Sequence, residues 1–269
     1  MSRSSSEPLS GNVSCARSMT ISWDFRTAVF AALCATSLAC GVATTFAVVA
    51  PAFIRQRADD ALRVCVVASM MAFCYRILYT LTPVWKRRDA AALRAEASKC
   101  VGSNGFQYIV YGSIVLAMPR GTSNAPALAP FCILSAYQLA TTAAKLYGDD
   151  DGKGYWSKLG MGKVFQEMQA NMELALAICA TIEISLLTPM LLDLFSSRRR
   201  SVTRVLAYVS WLRSRYHCKD NTVYRIKYTR FDTAHYHRDV WSMLDEKLVS
   251  KVPALRKLLA PVSTWFCSG

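Results

Sequence analysis

From Thr27 to Ile54 the chain runs for 28 positions without a charged residue. A helix needs about 20 apolar residues to cross the hydrocarbon core of a bilayer. No water is available there to satisfy backbone amides, so such a stretch must bond its own peptide groups as a helix. A soluble core helix this long and free of charge would be unusual. The segment predicts a membrane span.

Other apolar blocks follow. Val64 to Trp85 is closed by Lys86, Arg87 and Arg88. Residues 89–99 read as a short polar helix. Phe106 to Met118 is apolar but short, ends in Pro119-Arg120-Gly121, and precedes the uncharged stretch Ala125 to Ala144. That pair reads as a bent hairpin, or as a half-span followed by a full span. Leu174 to Phe195 carries Glu183 near its centre and Pro189 beyond it, and Arg198, Arg199 and Arg200 stop it. The expected fold class is all-α: a polytopic membrane helix bundle of three to four spans with amphipathic C-terminal helices. Three regions are expected: a flexible N-terminal tail at 1–26, the bundle at 27–197, and a basic amphipathic membrane-surface tail at 198–269. The Ser-rich N-terminal stretch precedes an apolar run far longer than a signal peptide's core, so the first span reads as an uncleaved anchor.

Charge is concentrated late. The formal net charge is +14, and residues 198–269 carry fifteen Lys/Arg against five Asp/Glu. A basic block continuous with a membrane domain is expected to face anionic lipid headgroups, at about 1 kcal/mol per nearby cation. Within it, Val202, Val205, Leu206, Val209, Leu212 and Tyr216 fall at helical spacing, with Arg204, Arg213 and Arg215 among the polar positions. Val240, Leu244 and Leu248 repeat the pattern, and Leu255, Leu258 and Leu259 form a third short element. An apolar face with a basic flank, plus Trp211, Trp241 and Trp265, is how an interfacial helix reads. Arg204, Trp211, Arg213, Arg215 and Tyr216 are therefore the expected membrane-surface residues. A small helical domain packing its apolar faces on one another is the alternative. Aromatics interleave with Lys/Arg from Tyr224 to Tyr236 as in strand-stacking surfaces. A membrane tether makes lipid or protein the better acidic partner, and no nucleic acid is expected.

Basic flanks orient a membrane chain toward the cytosol. The 86–105 connector and the tail are expected to be cytosolic, and the acidic 145–173 loop lumenal. If 64–85 spans, there are four spans and the N-terminus is cytosolic. If that block only dips in, there are three and the N-terminus is lumenal. The sequon Asn12-Val13-Ser14 separates the two.

Arg76 and Glu183 each lie near the centre of an apolar block, and charges in lipid are normally paired. An intramembrane Arg76–Glu183 ion pair is expected, against a snorkelling Arg76 and a protonated Glu183. Ser69, Arg76 and Thr80 share a stripe that would face a bundle interior. Ala31, Ala35, Ala39, Ala43 and Ala47 form a small-residue ridge, read either as a docking face for a partner helix or as ordinary span composition. Cys34, Cys40, Cys65, Cys74, Cys132 and Cys179 sit inside apolar blocks and read as reduced, small hydrophobes.

Catalytic signatures fail one by one. His217-Cys218 and His235-Tyr236-His237 are too few ligands for a metal site and read as exposed interfacial histidines. Asp149 to Gly154 has Gly160 where a calcium loop needs glutamate. No glycine-rich phosphate loop or nucleophile elbow occurs. No cofactor is expected, and the chain reads as a non-enzyme.

The stretch Tyr208-Val-Ser-Trp211-Leu212-Arg-Ser-Arg215-Tyr216, followed by Asn221, resembles the transmembrane protein 33 family, which includes the yeast pore-membrane proteins. Tyr108-Ile-Val-Tyr111 and Glu183 upstream of Pro189 fit the same resemblance, which covers roughly residues 25 to 235. It implies residence in the endoplasmic reticulum membrane and nuclear envelope. It also implies partnership with reticulon-type curvature proteins, and a part in tubule shaping or nuclear pore organisation. The competing readings are a small transporter or channel dependent on Glu183, and a mitochondrial inner-membrane subunit imported through Arg3 and Arg17.

Overall fold

The computed structural model describes residues 25–48, 52–119, 125–147, 160–195, 201–217, 233–249 and 251. Every regular element among them is helical: α1 Phe25–Val48, α2 Ala52–Lys86, α3 Ala90–Val101, α4 Asn104–Leu116, a 3-10 turn Ala125–Leu128, α5 Ala129–Tyr147, α6 Met161–Ala170, α7 Met172–Ser185, α8 Leu187–Asp193, α9 Val202–His217 and α10 Thr233–Leu244. A π-helical turn, Asp245–Val249, extends α10. Four segments are long and apolar enough to cross a membrane: Phe25–Phe46, Ala58–Lys86, Ala125–Ala144 and Met172–Asp193. The chain is an all-α polytopic membrane bundle.

Local chemistry sets several boundaries. Arg88 turns the chain after α2 with φ 55, and Asp89 then caps α3 by accepting from the amides of Ala91 and Ala92, each at 3.0 Å. Ser103 caps α4 through the Phe106 amide. These side chains satisfy amides that a helix start leaves unpaired. At the far end of α4, Arg63 of α2 donates to the carbonyls of Leu116 and Met118 at 3.2 and 3.4 Å. A cation there also complements the negative end of the helix dipole.

Paired contacts give the helix directions. Arg26 lies over the Tyr79 ring and Ser37 bonds Ser69 at 2.5 Å, so α1 and α2 are antiparallel. Cys34 donates to Gln138 and Ser135 to Ser37, so α5 runs against α1 and along α2. The α4 helix runs against α2, with Gly105 beside Phe73 and Ile77 and Gly112 beside Met70 and Val66. A side chain at Gly112 would meet Met70 atoms at 2.7 Å, so glycine is what lets these two helices close. The α9 helix runs against α4, because Arg215 reaches Asn104 and Trp211 reaches the Gln107 carbonyl.

These directions revise the expected sidedness. Because α2 and α5 are parallel, the basic connector after α2 and the acidic connector after α5 leave from the same end of the bundle, not from opposite ends. The short α4 makes a pass of its own between them. At 13 residues it is only about 20 Å long at 1.5 Å per residue, below the length that marks a span, so it escapes a count based on length and inverts the parity. The chain after α9 also leaves from the connector end.

Packing bears on three further expectations. The buried face of α1 is Cys34, Ser37, Gly41 and Thr44, while Ala35, Ala39 and Ala43 point outward. Ala47 lies outside the described side chains. Ser69 is buried, but Arg76 and Thr80 on the same stripe are exposed. Finally, α9 and α10 pack into the bundle, so position 198 is not a packing boundary. The seven described cysteines are free thiols. The N-terminal tail, its sequon, the third tail element and Asn221 lie outside the described residues.

Candidate functional site

Glu183 sits on α7 near the centre of the last long apolar segment and is fully buried. Its Oε1 accepts from the Tyr108 hydroxyl of α4 at 2.7 Å. Its Oε2 meets Nε2 of His237 on α10 at 2.7 Å and lies 3.9 Å from Nε of Arg215 on α9. Arg215 donates further to Asn104 and to the Tyr108 hydroxyl, and its guanidinium lies 5.1 Å from the Tyr108 ring centre. The Tyr208 hydroxyl donates to the main-chain carbonyl of Glu183. One carboxylate on α7 thus joins side chains from three other helices, α4, α9 and α10.

An aromatic wall closes the cluster from below. Phe73 stacks on Tyr108 at 5.7 Å, Tyr111 on Phe131 at 5.2 Å and on Trp211 at 4.7 Å. Trp211 Nε1 donates to the Gln107 carbonyl at 2.8 Å, and Gln107 Nε2 to Ser214 at 2.9 Å. The Tyr and Trp polar tips all find partners, as buried aromatics of this kind require. Low polarity around the cluster strengthens each contact and raises the cost of losing one.

The tautomer of His237 follows from its partner. An ionised carboxylate only accepts, so Nε2 carries the proton and Nδ1 is bare. Nδ1 is buried with no hydrogen-bond partner among the described residues. Burial pushes the imidazole below its ordinary pKa; the hydrogen bond and charge of Glu183 pull it upward, and Arg215 adds to the downward push. The balance keeps His237 neutral near pH 7.

Several expected roles fall elsewhere. The structure does not bring Arg76 to Glu183: Arg76 is exposed on α2, and Arg215 and His237 take its place beside the carboxylate. Trp211 and Arg215, expected at a membrane surface, are 3% and 2% exposed inside the bundle. Tyr216 is half-buried, and Arg204 and Arg213 lie at the rim of α9. Of the expected apolar stripe, Val205 and Leu212 are buried while Val202 and Leu206 are exposed, and an apolar stripe does not reveal whether lipid or protein covers it. His237 is likewise buried, not interfacial, whereas His235 is exposed and pairs with Asp239 at 3.0 Å. Asn104 and Gln107 carried no signal in the sequence. Tyr108, Tyr111, Glu183, Tyr208, Trp211 and Arg215 did: the three separate stretches that carried the family resemblance meet at this one point.

Chemically, the arrangement is a clasp. Both carboxylate oxygens are occupied by protein groups. Among the described residues, no group of three or more His, Cys, Asp or Glu is placed to hold a metal ion.

A protein-family model described as "Transmembrane protein 33/Nucleoporin POM33" matches residues 17–240. That span includes every residue of the cluster. No curated protein and no solved structure matches the chain.

Proposed function

The chain belongs to the transmembrane protein 33/nucleoporin POM33 family, a membrane-protein family linked to the endoplasmic reticulum and the nuclear pore and not known as an enzyme family; on that premise we propose that it is a non-enzymatic membrane scaffold that shapes tubules and helps organise nuclear pores. One observation carries the reading. Three helices too short to cross, α3, α6 and α10 with 12, 10 and 12 residues, follow α2, α5 and α9 in the chain, the three helices that leave the bundle at one end. Tyr137 of α5 holds the end of α6 through the Met168 carbonyl, and Arg238 of α10 reaches the Tyr216 carbonyl at the end of α9.

Lys86, Arg87, Arg88, Arg94 and Lys99 sit at the same end, with Trp85 exposed beside them. Cations with an interfacial tryptophan fit a cytosolic leaflet rich in anionic lipid. In this reading the tail is cytosolic, and a bundle broader at that leaflet forces lipids apart there and bends the membrane convex toward the cytosol. The clasp at Glu183 holds α9 and α10 against the transmembrane helices, so the added cross-section stays rigid. Reticulon-type or pore-membrane proteins are the proposed partners.

Reconstitution of the full chain into vesicles containing anionic phospholipid tests the mechanism, and imaging of a tagged chain tests the address. The reading expects narrow tubules from the vesicles and signal over the reticulum and nuclear rim. Smooth spherical vesicles at high protein density would sink the curvature mechanism. Mitochondrial signal would favour the inner-membrane alternative, and ion flux that disappears with Glu183→Gln would favour a transporter.

A further inference from the structure

We propose that α10 is a proton-released latch: it docks while His237 is neutral and leaves the bundle when Nδ1 takes up a proton. The latch does not depend on the protein's shaping membranes. Its basis is the geometry of one side chain. His237 is 1% exposed and anchors α10 to α7 through its 2.7 Å contact with Glu183. On the opposite edge of the ring, Nδ1 has no acceptor among the described residues. A bare lone pair tolerates that position. A second N–H does not, because a buried donor without a partner forfeits its hydration.

Charge acts in the same direction. The groups facing His237 are Glu183 from α7 and Arg215 from α9, with the Tyr208 and Tyr108 hydroxyls bound to the same glutamate. A carboxylate and a guanidinium sum to zero; an imidazolium would leave one uncompensated positive charge in a buried site. On α10 itself, Arg238 is half-buried and adds further positive charge, while His235 and Asp239 pair with each other at the surface. The lowered pKa of His237 agrees with this, burial being its largest cause. The sign follows: a histidine whose docked pKa lies below its undocked value supports docking fully above about pH 6.5 and loses that support as pH falls below it. The proton comes from solvent, and no other bond changes.

The docking equilibrium shifts by at most tenfold per pH unit for one proton. Between pH 7.5 and 5.5, about one unit lies below the ordinary histidine value, so docking weakens by about tenfold. The chain has three histidines, which permits a direct experiment. The full chain, isotopically labelled at histidine and embedded in lipid nanodiscs, is titrated by NMR. Hydrogen exchange of α10 is followed in parallel and corrected for the intrinsic pH dependence of exchange.

The expected result is a His237 resonance titrating below the ordinary histidine value, and about tenfold less protection of α10 at pH 5.5 than at 7.5. His237→Gln keeps a donor toward Glu183 but cannot titrate, so its protection stays constant with pH. His235→Gln keeps the wild-type loss. Protection of wild-type α10 that ignores pH overturns the proposal, as does a pH-dependent loss that survives in His237→Gln. Should His237→Gln leave α10 undocked at every pH, the wild-type titration decides alone: His237 titrating at the ordinary histidine value refutes the latch.

Discussion

Removing the charge of Glu183 while keeping its shape tests the clasp most directly. Glu183→Gln can still accept from Tyr108, but its amide turns a donor toward Nε2 of His237, and the attraction to Arg215 is gone. At the 3.9 Å separation of Arg215 Nε and Glu183 Oε2, two unit charges in a medium of effective dielectric 20 attract by about 4 kcal/mol. Breaking a buried pair from one side typically costs about 3–5 kcal/mol, because the other charge stays behind in a poor solvent. Glu183→Gln and Arg215→Met should each destabilise the protein by roughly that amount. The double variant removes both charges, so it should be less destabilised than the two singles added together, with a coupling of about 2–4 kcal/mol. Unfolding of the full chain in mixed micelles, titrated with denaturing detergent and followed by helical circular dichroism, gives all four corners of the cycle. Arg76→Met combined with Glu183→Gln is the control and should be additive within about 0.5 kcal/mol. Additivity of Glu183 with Arg215, or strong coupling of Glu183 with Arg76, would refute the assignment of partners.

Three other outcomes are expected. An ideal methyl at Gly41 would lie 2.1 Å from the sulfur of Cys132, so Gly41→Ala should cost about 1–3 kcal/mol by overpacking α1 against α5. Adding Cys132→Ala should recover most of that loss, as the same unfolding titration would report. Arg63→Leu leaves the Leu116 and Met118 carbonyls without their donor. It should speed amide exchange in the last turn of α4 while leaving α1 unchanged. Asn12 should stay unglycosylated when the chain is made in microsomes, because α1 begins at the end proposed to be cytosolic. A glycan-dependent shift in gel mobility would reverse that orientation.

What the sequence determined by itself is the helical, membrane-spanning class. Thr27 to Ile54 has no charged residue and more than enough length, and a backbone in hydrocarbon has no alternative to bonding itself. The same local physics made α9 legible as a helix with Val205 and Leu212 on its apolar stripe, but it placed Arg215 among the polar positions, whereas Tyr208, Leu212 and Arg215 share the buried face. The tertiary structure decided what covers that face, and it decided the partners of Glu183. Tyr108, His237 and the Arg215–Asn104 contact bridge 75, 54 and 111 positions of chain, distances at which helical period carries no information. Arg76 was the expected partner because it lies inside an apolar block and Arg215 does not; the directions of α2, α4 and α9 bring Arg215 to the carboxylate instead. Sidedness turned on α4, too short to register as a span yet long enough to reverse the chain. Periodicity reports how each helix divides its own surface, whereas the neighbour that fills each surface is chosen by the packing of all helices together.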